Sequence, residues 1–162
     1  MLNQVYLSLG SNVGDRAANL KMAIDRLGRI GKVVAVSSFY ETEPVEVTAQ
    51  PWFLNCALLL QTERMPGQLL NEILGLEQEM GRQRGQSKGP RNIDIDILLF
   101  GDSIIEDERL NIPHPAMQQR RFVLEPLVEI APEAMHPVFQ RTVRELRDAL
   151  PAGQEVKRAT RN

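Results

Sequence analysis

Apolar and polar residues alternate near the start of the chain, and the pattern changes after a turn. Val5, Leu7 and Leu9 recur at every second position, which predicts a strand that runs into a turn at 10–14. From Asp15 onward the apolar positions follow helical spacing, and glycines end this predicted helix. The apolar positions of the helix are Leu20, Ala23, Ile24 and Leu27.

Two further strands follow in the pattern. The segment 32–42 is rich in β-branched and aromatic residues and predicts one continuous strand. Residues 43–51 are polar and contain two prolines, so they predict a loop. The segment 52–62 then predicts the third strand.

A second helical pattern begins at Pro66, which suits the first turn of a helix. The pattern ends at Gly81, and the fourth strand lies in the segment 89–100, GPRNIDIDILLF. The predicted apolar face of the helix consists of Leu69, Leu70, Ile73, Leu76, Glu77 and Met80. The order strand, helix, strand, strand, helix, strand is the split βαβ arrangement, an antiparallel sheet with both helices on one face.

The rest of the chain predicts further helices. An extended stretch at 103–112 and a proline-rich turn precede helices near 118–130 and 142–150. Thr142 and Glu145 have the spacing of a capping box at the start of the last helix. The tail at 153–162 predicts a frayed end.

The composition is that of one soluble globular domain over residues 1–162, with 43% hydrophobic and 25% charged residues. A net charge of −2 gives no reason to expect nucleic acid binding. The single cysteine, Cys56, excludes an internal disulfide framework and a cysteine-based zinc site. The first residues lack the pattern of a signal peptide, and no window has the roughly 20 apolar residues of a membrane span. We therefore expect a cytoplasmic monomer that binds neither nucleic acid nor membrane.

Two carboxylates alternate with isoleucines in the fourth strand. Because side chains alternate across a strand, Asp94 and Asp96 point to one face and Ile93, Ile95 and Ile97 to the other. The isoleucines should pack against the helices, so the aspartates should lie on the opposite face of the sheet, which the helices leave open. The Cα atoms of the two aspartates are about 6.5–7 Å apart, which lets both bind one Mg²⁺ or span a metal pair. A solvated polar face is the alternative, although aspartate is disfavoured in strands.

A basic segment precedes this strand. Its cations are Arg82, Arg84, Lys88 and Arg91. Together with the glycines between them, these cations predict a flexible basic loop that could bind a polyphosphate. The alternative is an ordinary solvent-exposed run of charges. Paired aspartates beside an arginine-rich loop indicate metal-assisted phosphoryl transfer. No Walker A sequence occurs, so a P-loop is excluded.

These residues form part of a longer set of motifs. The segment 89–98, GPRNIDIDIL, resembles the signature of the 6-hydroxymethyl-7,8-dihydropterin pyrophosphokinases of folate biosynthesis. The other matching motifs are GSN at 10–12, SSFYET at 37–42, FLN at 53–55, the segment 77–84, PHP at 113–115 and RRF at 120–122. Several separate motifs in the family's order make this resemblance more specific than the two aspartates alone.

The resemblance implies an α+β, ferredoxin-like fold and a defined reaction. The enzyme would move the diphosphoryl group of ATP, in one piece, onto the hydroxymethyl oxygen of the pterin and release AMP. Asp94 and Asp96 would bind two Mg²⁺ ions that hold the ATP phosphates, and one ion would also touch the attacking hydroxyl.

The resemblance also implies an ATP site. Its residues would be Glu77, Arg82, Arg84, Lys88, Arg91, Ile97, Arg109, Leu110, His114 and Arg120. Arg82 and Arg91 would act in catalysis by gripping phosphate oxygens, and backbone groups around Ile97 and Leu110 would read the adenine. Which cation of the 82–91 loop contacts which phosphate stays open.

A pterin pocket is implied as well. Its residues would be Thr42, Pro44, Val45, Phe53, Asn55, Asp94 and Phe122. Asn55 would read the amide-like edge of the ring, and Phe53 and Phe122 would stack on its two faces. Both phenylalanines are also typical of a core, and a buried Asn55 is either a structural amide or a ligand contact.

Two other function classes fit parts of the pattern. The split βαβ order also describes an RNA-binding domain of the RRM type, but aspartates on the candidate strand would repel a phosphate backbone. A different metal-dependent transferase or phosphohydrolase would use the same two aspartates, and only the pterin-pocket residues argue against it.

Overall fold

The computed structural model describes residues 2–43, 51–81 and 92–159. The strands in these ranges are β1 (Asn3–Ser11), β2 (Lys32–Val36), β3 (Tyr40–Thr42), β4 (Phe53–Thr62), β5 (Asp94–Phe100), β6 (Ile105–Glu106), β7 (Asn111–Ile112), β8 (Met135–His136), β9 (Arg141–Thr142) and β10 (Val156–Arg158). The helices are α1 (Arg16–Leu27), α2 (Pro66–Glu79), α3 (Arg121–Ile130) and α4 (Val143–Asp148), with a 3₁₀ turn at Met117–Gln119. Among the described residues, no helix combines the length and the apolar character needed to cross a membrane.

The main sheet is antiparallel and has the strand order β10-β3-β4-β1-β5. Strands β2 and β3 pair with successive parts of β4, at 58–61 and 53–55. Taken together they occupy one strand position, so the chain follows the order of a split βαβ fold. The predicted α+β, ferredoxin-like class is confirmed.

Helices α1 and α2 pack on one face of the sheet and form the larger core. Asp15 begins α1 as its N-cap, since its side chain accepts the Ala18 backbone N–H at 3.0 Å. The predicted apolar positions of both helices and of β5 lie in this core, which includes Leu20, Ala23, Leu27, Leu69, Ile73, Leu76, Ile93, Ile95 and Ile97. Cys56 is also there, 1% exposed, and burial raises the pKa of its thiol to about 12.

Helices α3 and α4 cover part of the opposite face. The pairing of β5 with β1 shifts register by one residue, which makes Leu98 a bulge. Leu98 and Leu99 pack with Ala57 against the buried side chains of α3 and α4. The polar part of this face therefore ends before the bulge, at Asp94 and Asp96.

The prediction of one strand over 32–42 is wrong, because the irregular segment 37–39 separates β2 from β3. The Ser37 hydroxyl accepts the Ala57 N–H at 2.9 Å. The N–H and hydroxyl of Ser38 both donate to Glu129 of α3, at 2.9 and 3.0 Å. Serine hydroxyls compete with the backbone for hydrogen bonds, and here they replace part of the strand ladder.

The prediction of a frayed tail over 153–162 is wrong for the residues that the structure describes. Val156–Arg158 form β10, which pairs with β3 and lies at one edge of the main sheet. A three-residue strand has too few positions to show a period of two, so the sequence pattern did not reveal it.

The remaining C-terminal predictions needed smaller changes. The stretch at 103–112 is a hairpin of β6 and β7, and the helix predicted over 118–130 is divided at Arg120 between the 3₁₀ turn and α3. The capping box of α4 is confirmed. The Thr142 hydroxyl accepts the Glu145 N–H at 3.1 Å, and the Glu145 carboxylate accepts the Thr142 N–H at 2.9 Å.

Candidate active site

One face of the sheet brings together several predicted site residues. Gly10 of β1 lies opposite Asn55 of β4 on one side and opposite Asp94 of β5 on the other. Ser8, two residues earlier, lies opposite Asp96. Residues directly opposite one another project to the same face, so the amide and both carboxylates share it. Two strand spacings separate Asn55 from Asp94, which is about 10 Å between their Cα atoms.

Two hydrogen bonds hold the side chain of Asn55. It is 4% exposed, and its Nδ2 donates to the Leu9 carbonyl at 3.3 Å. The hydroxyl of Thr42, which is 1% exposed, donates to its Oδ1. A primary amide has two donor and two acceptor positions, and these bonds use one of each. The two bonds give the buried amide of Asn55 a fixed orientation, as recognition of a polar ring edge requires.

Gly10 leaves the space that this amide occupies. A Cβ atom at position 10 would lie 2.5 Å from Asn55 Nδ2 and 3.6 Å from a ring atom of Phe53. The first distance is too short for non-bonded atoms, so a larger residue would displace the amide or the strand. The sequence analysis placed Gly10 in a turn and missed this role. The available signal was a glycine that continues an alternating strand, which marks a close approach of other atoms.

Asp94 and Asp96 are half-buried on this face, while Ile93 and Ile95 between and beside them are in the core. Among the described residues, no group of three or more His, Cys, Asp and Glu side chains is arranged to hold a metal ion. Two carboxylates nevertheless fit Mg²⁺, which takes one or two from the protein and completes its shell with waters and substrate phosphates. The donor set suits ions that bind together with a nucleotide.

A buried carboxylate holds the outer edge of β5. Glu77 of α2 is 3% exposed, and its Oε2 accepts the backbone N–H of Ile95 at 2.7 Å. That N–H points away from β1, and Glu77 supplies the partner that a further strand would supply. Because Ile95 lies between Asp94 and Asp96, the bond fixes the segment that carries both carboxylates. Glu77 was predicted to contact ATP, and this hydrogen bond adds a contact to the protein backbone.

The other residues predicted near the adenine lie on the α2 side of β5. Alternate residues of an antiparallel strand direct their N–H and C=O groups to the same side, so those of Ile97 point outward like the N–H of Ile95. Leu110 packs against the core cluster that contains Ile97. Arg109 is exposed, and its Nη2 donates to the Asn71 side chain of α2 at 2.7 Å.

His114 lies beside β5 at the bulge. Its backbone N–H donates to the Leu98 carbonyl at 3.0 Å, and its Nδ1 accepts the Ala116 N–H at 3.1 Å. An accepting Nδ1 leaves the proton of the neutral ring on Nε2. Burial, and next the charge of Arg120, lower the pKa of His114 to about 4 against the opposing effect of Asp94. His114 is therefore a neutral N–H donor at neutral pH.

The two predicted stacking rings have different surroundings. The guanidinium carbon of Arg120 lies 5.5 Å from the centre of the Phe122 ring, and Phe122 packs partly buried against the cluster under α3 and α4. Phe53 begins β4, opposite Thr42 and on the same face as Asn55. The structure thus places Phe53 beside the amide and Phe122 beside Arg120.

Several predicted site residues lie outside the described ranges. They are Pro44, Val45, Arg82, Arg84, Lys88 and Arg91. Their roles stay predictions. The described part of the site offers two carboxylates, a neutral imidazole donor, a guanidinium and an oriented amide on or beside one sheet, a set suited to a charged phosphate ester and a polar heterocycle.

The chain is similar to one family over most of its length. Residues 6–132 match the model of 7,8-dihydro-6-hydroxymethylpterin-pyrophosphokinase (HPPK). The chain is 40% identical over 143 residues to the 2-amino-4-hydroxy-6-hydroxymethyldihydropteridine pyrophosphokinase of Aquifex aeolicus, covering 88% of this chain and 89% of that protein. It is 44% identical over 146 residues to the protein of the same name from Methylorubrum extorquens, covering 89% and 91%.

Longer proteins contain a similar region. The folic acid synthesis protein fol1 of Schizosaccharomyces pombe is 43% identical over 149 residues, which are 91% of this chain and 20% of that protein. The crystal structure of wild-type Plasmodium falciparum HPPK-DHPS with pteroate has a TM-score of 0.74 at 20% identity, covering 91% of this chain and 42% of that one. The chain thus spans less than half the length of these two relatives. The structural likeness, at that identity, supports the fold.

Proposed function

This chain belongs to the 7,8-dihydro-6-hydroxymethylpterin-pyrophosphokinase family, whose reaction is the pyrophosphorylation of hydroxymethyl-dihydropterin with ATP in folate biosynthesis, and we propose how its residues carry out that reaction. The hydroxymethyl oxygen attacks the β-phosphorus of ATP, forms a bond to it and loses its proton to solvent. The bond from that phosphorus to the bridging oxygen breaks, and AMP leaves with the electrons of that bond. Catalysis of such a transfer consists mainly of positioning the two substrates and stabilising the charge that moves.

Asp94 and Asp96 would hold two Mg²⁺ ions together with the ATP phosphates. Bound Mg²⁺ supplies charge neutralisation at the phosphate oxygens and makes the substrate hydroxyl more acidic. The task of the carboxylates is to keep this charge on the face that also carries Asn55. The Glu77 hydrogen bond to Ile95 supports that task, because it fixes the backbone between the two aspartates.

His114 and Arg120 would donate hydrogen bonds to phosphate oxygens. Negative charge grows on the α-phosphate of the leaving AMP, and donors that are already oriented stabilise it. The Nε2–H of His114 is neutral and the guanidinium of Arg120 is a cation, so the two should contribute differently to the binding of ATP. The outward backbone of Ile97 would read the adenine, and Arg82, Arg84, Lys88 and Arg91 would add positive charge around the phosphates.

The pterin would bind over β4 and β1. Asn55 would pair with the amide-like edge of the ring, oriented by the Thr42 hydroxyl and the Leu9 carbonyl. Phe53 lies on the same face to receive one side of the ring, and Phe122 would stack on the other after Arg120 turns toward the phosphates.

The observation that carries this proposal is the position of Gly10 between Asn55 and Asp94. The two side chains lie on one face about 10 Å apart at their Cα atoms, which is two strand spacings. A bicyclic ring whose polar edge pairs with Asn55 lies across β1 and directs its hydroxymethyl group toward the aspartates. The geometry supports transfer between substrates held side by side.

Replacing either aspartate by asparagine tests this proposal. Asp94→Asn and Asp96→Asn keep the side-chain volume and remove a negative charge from the ion site, so turnover should fall at least about a hundredfold. Asp102→Asn makes the same change in an exposed turn and should leave turnover unchanged. Turnover would be measured against Mg²⁺ concentration, with melting temperature as the check on folding. Near-normal turnover in either site variant would contradict the metal assignment.

A further inference from the structure

The C-terminal strand β10 closes the edge of the sheet nearest the proposed pterin pocket. In the strand order β10 lies at one edge, and β5 with its two aspartates lies at the other. The match to the family model covers residues 6–132, and β10 lies after it in the chain.

Backbone hydrogen bonds attach β10 to β3 along its whole length. Val156 lies opposite Thr42. Next to this pair, the Glu43 N–H donates to the Glu155 carbonyl at 3.1 Å, and the Glu155 N–H donates to Glu43 Oε1 at 3.1 Å. At the other end the Ala159 N–H donates to the Phe39 carbonyl at 2.8 Å. The three residues of β3 are thus held between β4 and β10.

Side chains join the same two strands to α3. Arg158 donates to Glu129 at 3.2 Å, and its guanidinium carbon lies 5.8 Å from the centre of the Tyr40 ring. The Tyr40 hydroxyl donates to the same oxygen of Glu129, Oε1, at 2.6 Å. Glu129 therefore anchors both strands to the helix that packs on the site face of the sheet.

We propose that β10 is a positioning element for pterin binding: it completes the pairing of β3, which fixes Thr42, and the Thr42 hydroxyl fixes the amide of Asn55. The inference rests on the proposed pterin site. A three-residue strand paired on one side only is short enough to open locally. If β10 separated from β3, Thr42 would become mobile, and the amide of Asn55 would lose the hydroxyl that donates to its Oδ1. The aspartates lie four strand positions away and would keep their arrangement.

Lys157 is the position at which this can be tested with a matched pair of variants. Lys157 lies opposite Glu41. Hydrogen-bonded and non-hydrogen-bonded residue pairs alternate in an antiparallel ladder. The pairs two positions away on either side, 43 with 155 and 39 with 159, are hydrogen-bonded, so the pair of Glu41 and Lys157 is of the same kind. The Lys157 N–H therefore points to β3. Proline at position 157 removes that N–H, whereas alanine keeps it. The side chain of Lys157 is 66% exposed, so neither substitution disturbs the core.

The experiment measures two dissociation constants by calorimetry, one for hydroxymethyl-dihydropterin alone and one for α,β-methylene-ATP with Mg²⁺. Relative to Lys157→Ala, Lys157→Pro should weaken pterin binding about tenfold, as expected for loss of one well-placed hydrogen bond. Affinity for the ATP analogue should stay within about twofold, because a change of that size is below the contribution of one contact. Equal pterin affinity in the two variants, or an equal loss for both ligands, would overturn the proposal.

A double-mutant cycle with Thr42→Val separates positioning from general loosening. If β10 acts through the Thr42 hydroxyl, Lys157→Pro should weaken pterin binding much less in the Thr42→Val background than in the parent. Additive effects would overturn the proposal. Should Lys157→Pro fail to fold, Arg158→Ala keeps every backbone bond and should weaken pterin binding about threefold, and no weakening would overturn it. A parent protein that does not bind the pterin would instead contradict the proposed function itself.

Discussion

At the scale of single residues, the close approach of Gly10 and Asn55 determines the geometry of the proposed pterin site. The amide of Asn55 lies where a side chain at position 10 would project. In that position its oxygen accepts from the Thr42 hydroxyl and its N–H donates to the Leu9 carbonyl. A residue without a Cβ atom is therefore required at position 10. This requirement comes from close packing, since Gly10 has a backbone conformation open to other residues.

Gly10→Ala should weaken pterin binding at least about tenfold, because the new methyl group displaces the amide proposed to hydrogen-bond the pterin. Binding of the ATP analogue should change little, since Asp94 and Asp96 belong to the neighbouring strand. Gly75→Ala is the matched control: a Cβ there meets nothing within 4 Å in α2. This control should raise the free energy of unfolding by about 0.5–1 kcal/mol and leave both affinities unchanged. Unaltered pterin affinity in Gly10→Ala would contradict the assignment of Asn55.

The residues of the site differed in how far the sequence could predict them. Asp94 and Asp96 follow from alternation alone, because isoleucines on one face assign the aspartates to the other. The hydrogen bond from the Ile95 backbone to Glu77 has no sequence signal, because one partner is a main-chain group brought close by the fold. Sequence analysis found Glu77 on an apolar helix face and could assign it only by resemblance.

At the scale of elements, the contact of α2 with β5 holds the segment of β5 that carries the proposed metal ligands. The Glu77 carboxylate replaces a missing strand neighbour at Ile95, and a buried N–H without a partner is costly. The position of the two aspartates therefore depends on α2, which carries neither of the proposed metal ligands.

Glu77→Ala should lower the free energy of unfolding by about 1–3 kcal/mol, since it leaves the Ile95 N–H buried without this acceptor. Glu77→Gln keeps an acceptor oxygen and should recover at least half of that loss in chemical denaturation. Turnover at saturating Mg²⁺ should follow the same order, with alanine lower than glutamine. If the two variants were equally unstable, Glu77 would stabilise the fold through its charge and not through its hydrogen bond to β5.

Elements with many periodic positions were predicted well, and short ones were not. Both long helices and the strands β1, β4 and β5 repeat their pattern over enough residues to be recognised. Strands β2 and β3 were merged because the serines between them look like strand residues, and their hydroxyl bonds depend on α3 and β4. Strand β10 is a strand because it pairs with β3, a segment far away in the chain, and the local sequence pattern does not show this pairing.

At the scale of the whole molecule, the strand order of the sheet places the proposed pterin site and the proposed nucleotide site side by side. The edge formed by β10 and β3 supports the proposed pterin side, and the edge formed by β5 supports the proposed nucleotide side. Strand β1 lies between β4 and β5, and Gly10, which has no side chain, would let the proposed pterin reach across it. The two substrates would therefore meet above a central strand whose own side chains are small at that point.

The measurement that tests this account most directly is the identity of the nucleotide product. The protein would be incubated with ATP and Mg²⁺, with and without hydroxymethyl-dihydropterin, and the nucleotides separated by chromatography. The account predicts AMP in a one-to-one ratio with pterin diphosphate, and only when the pterin is present. Formation of ADP, or of AMP at the same rate without the pterin, would contradict it.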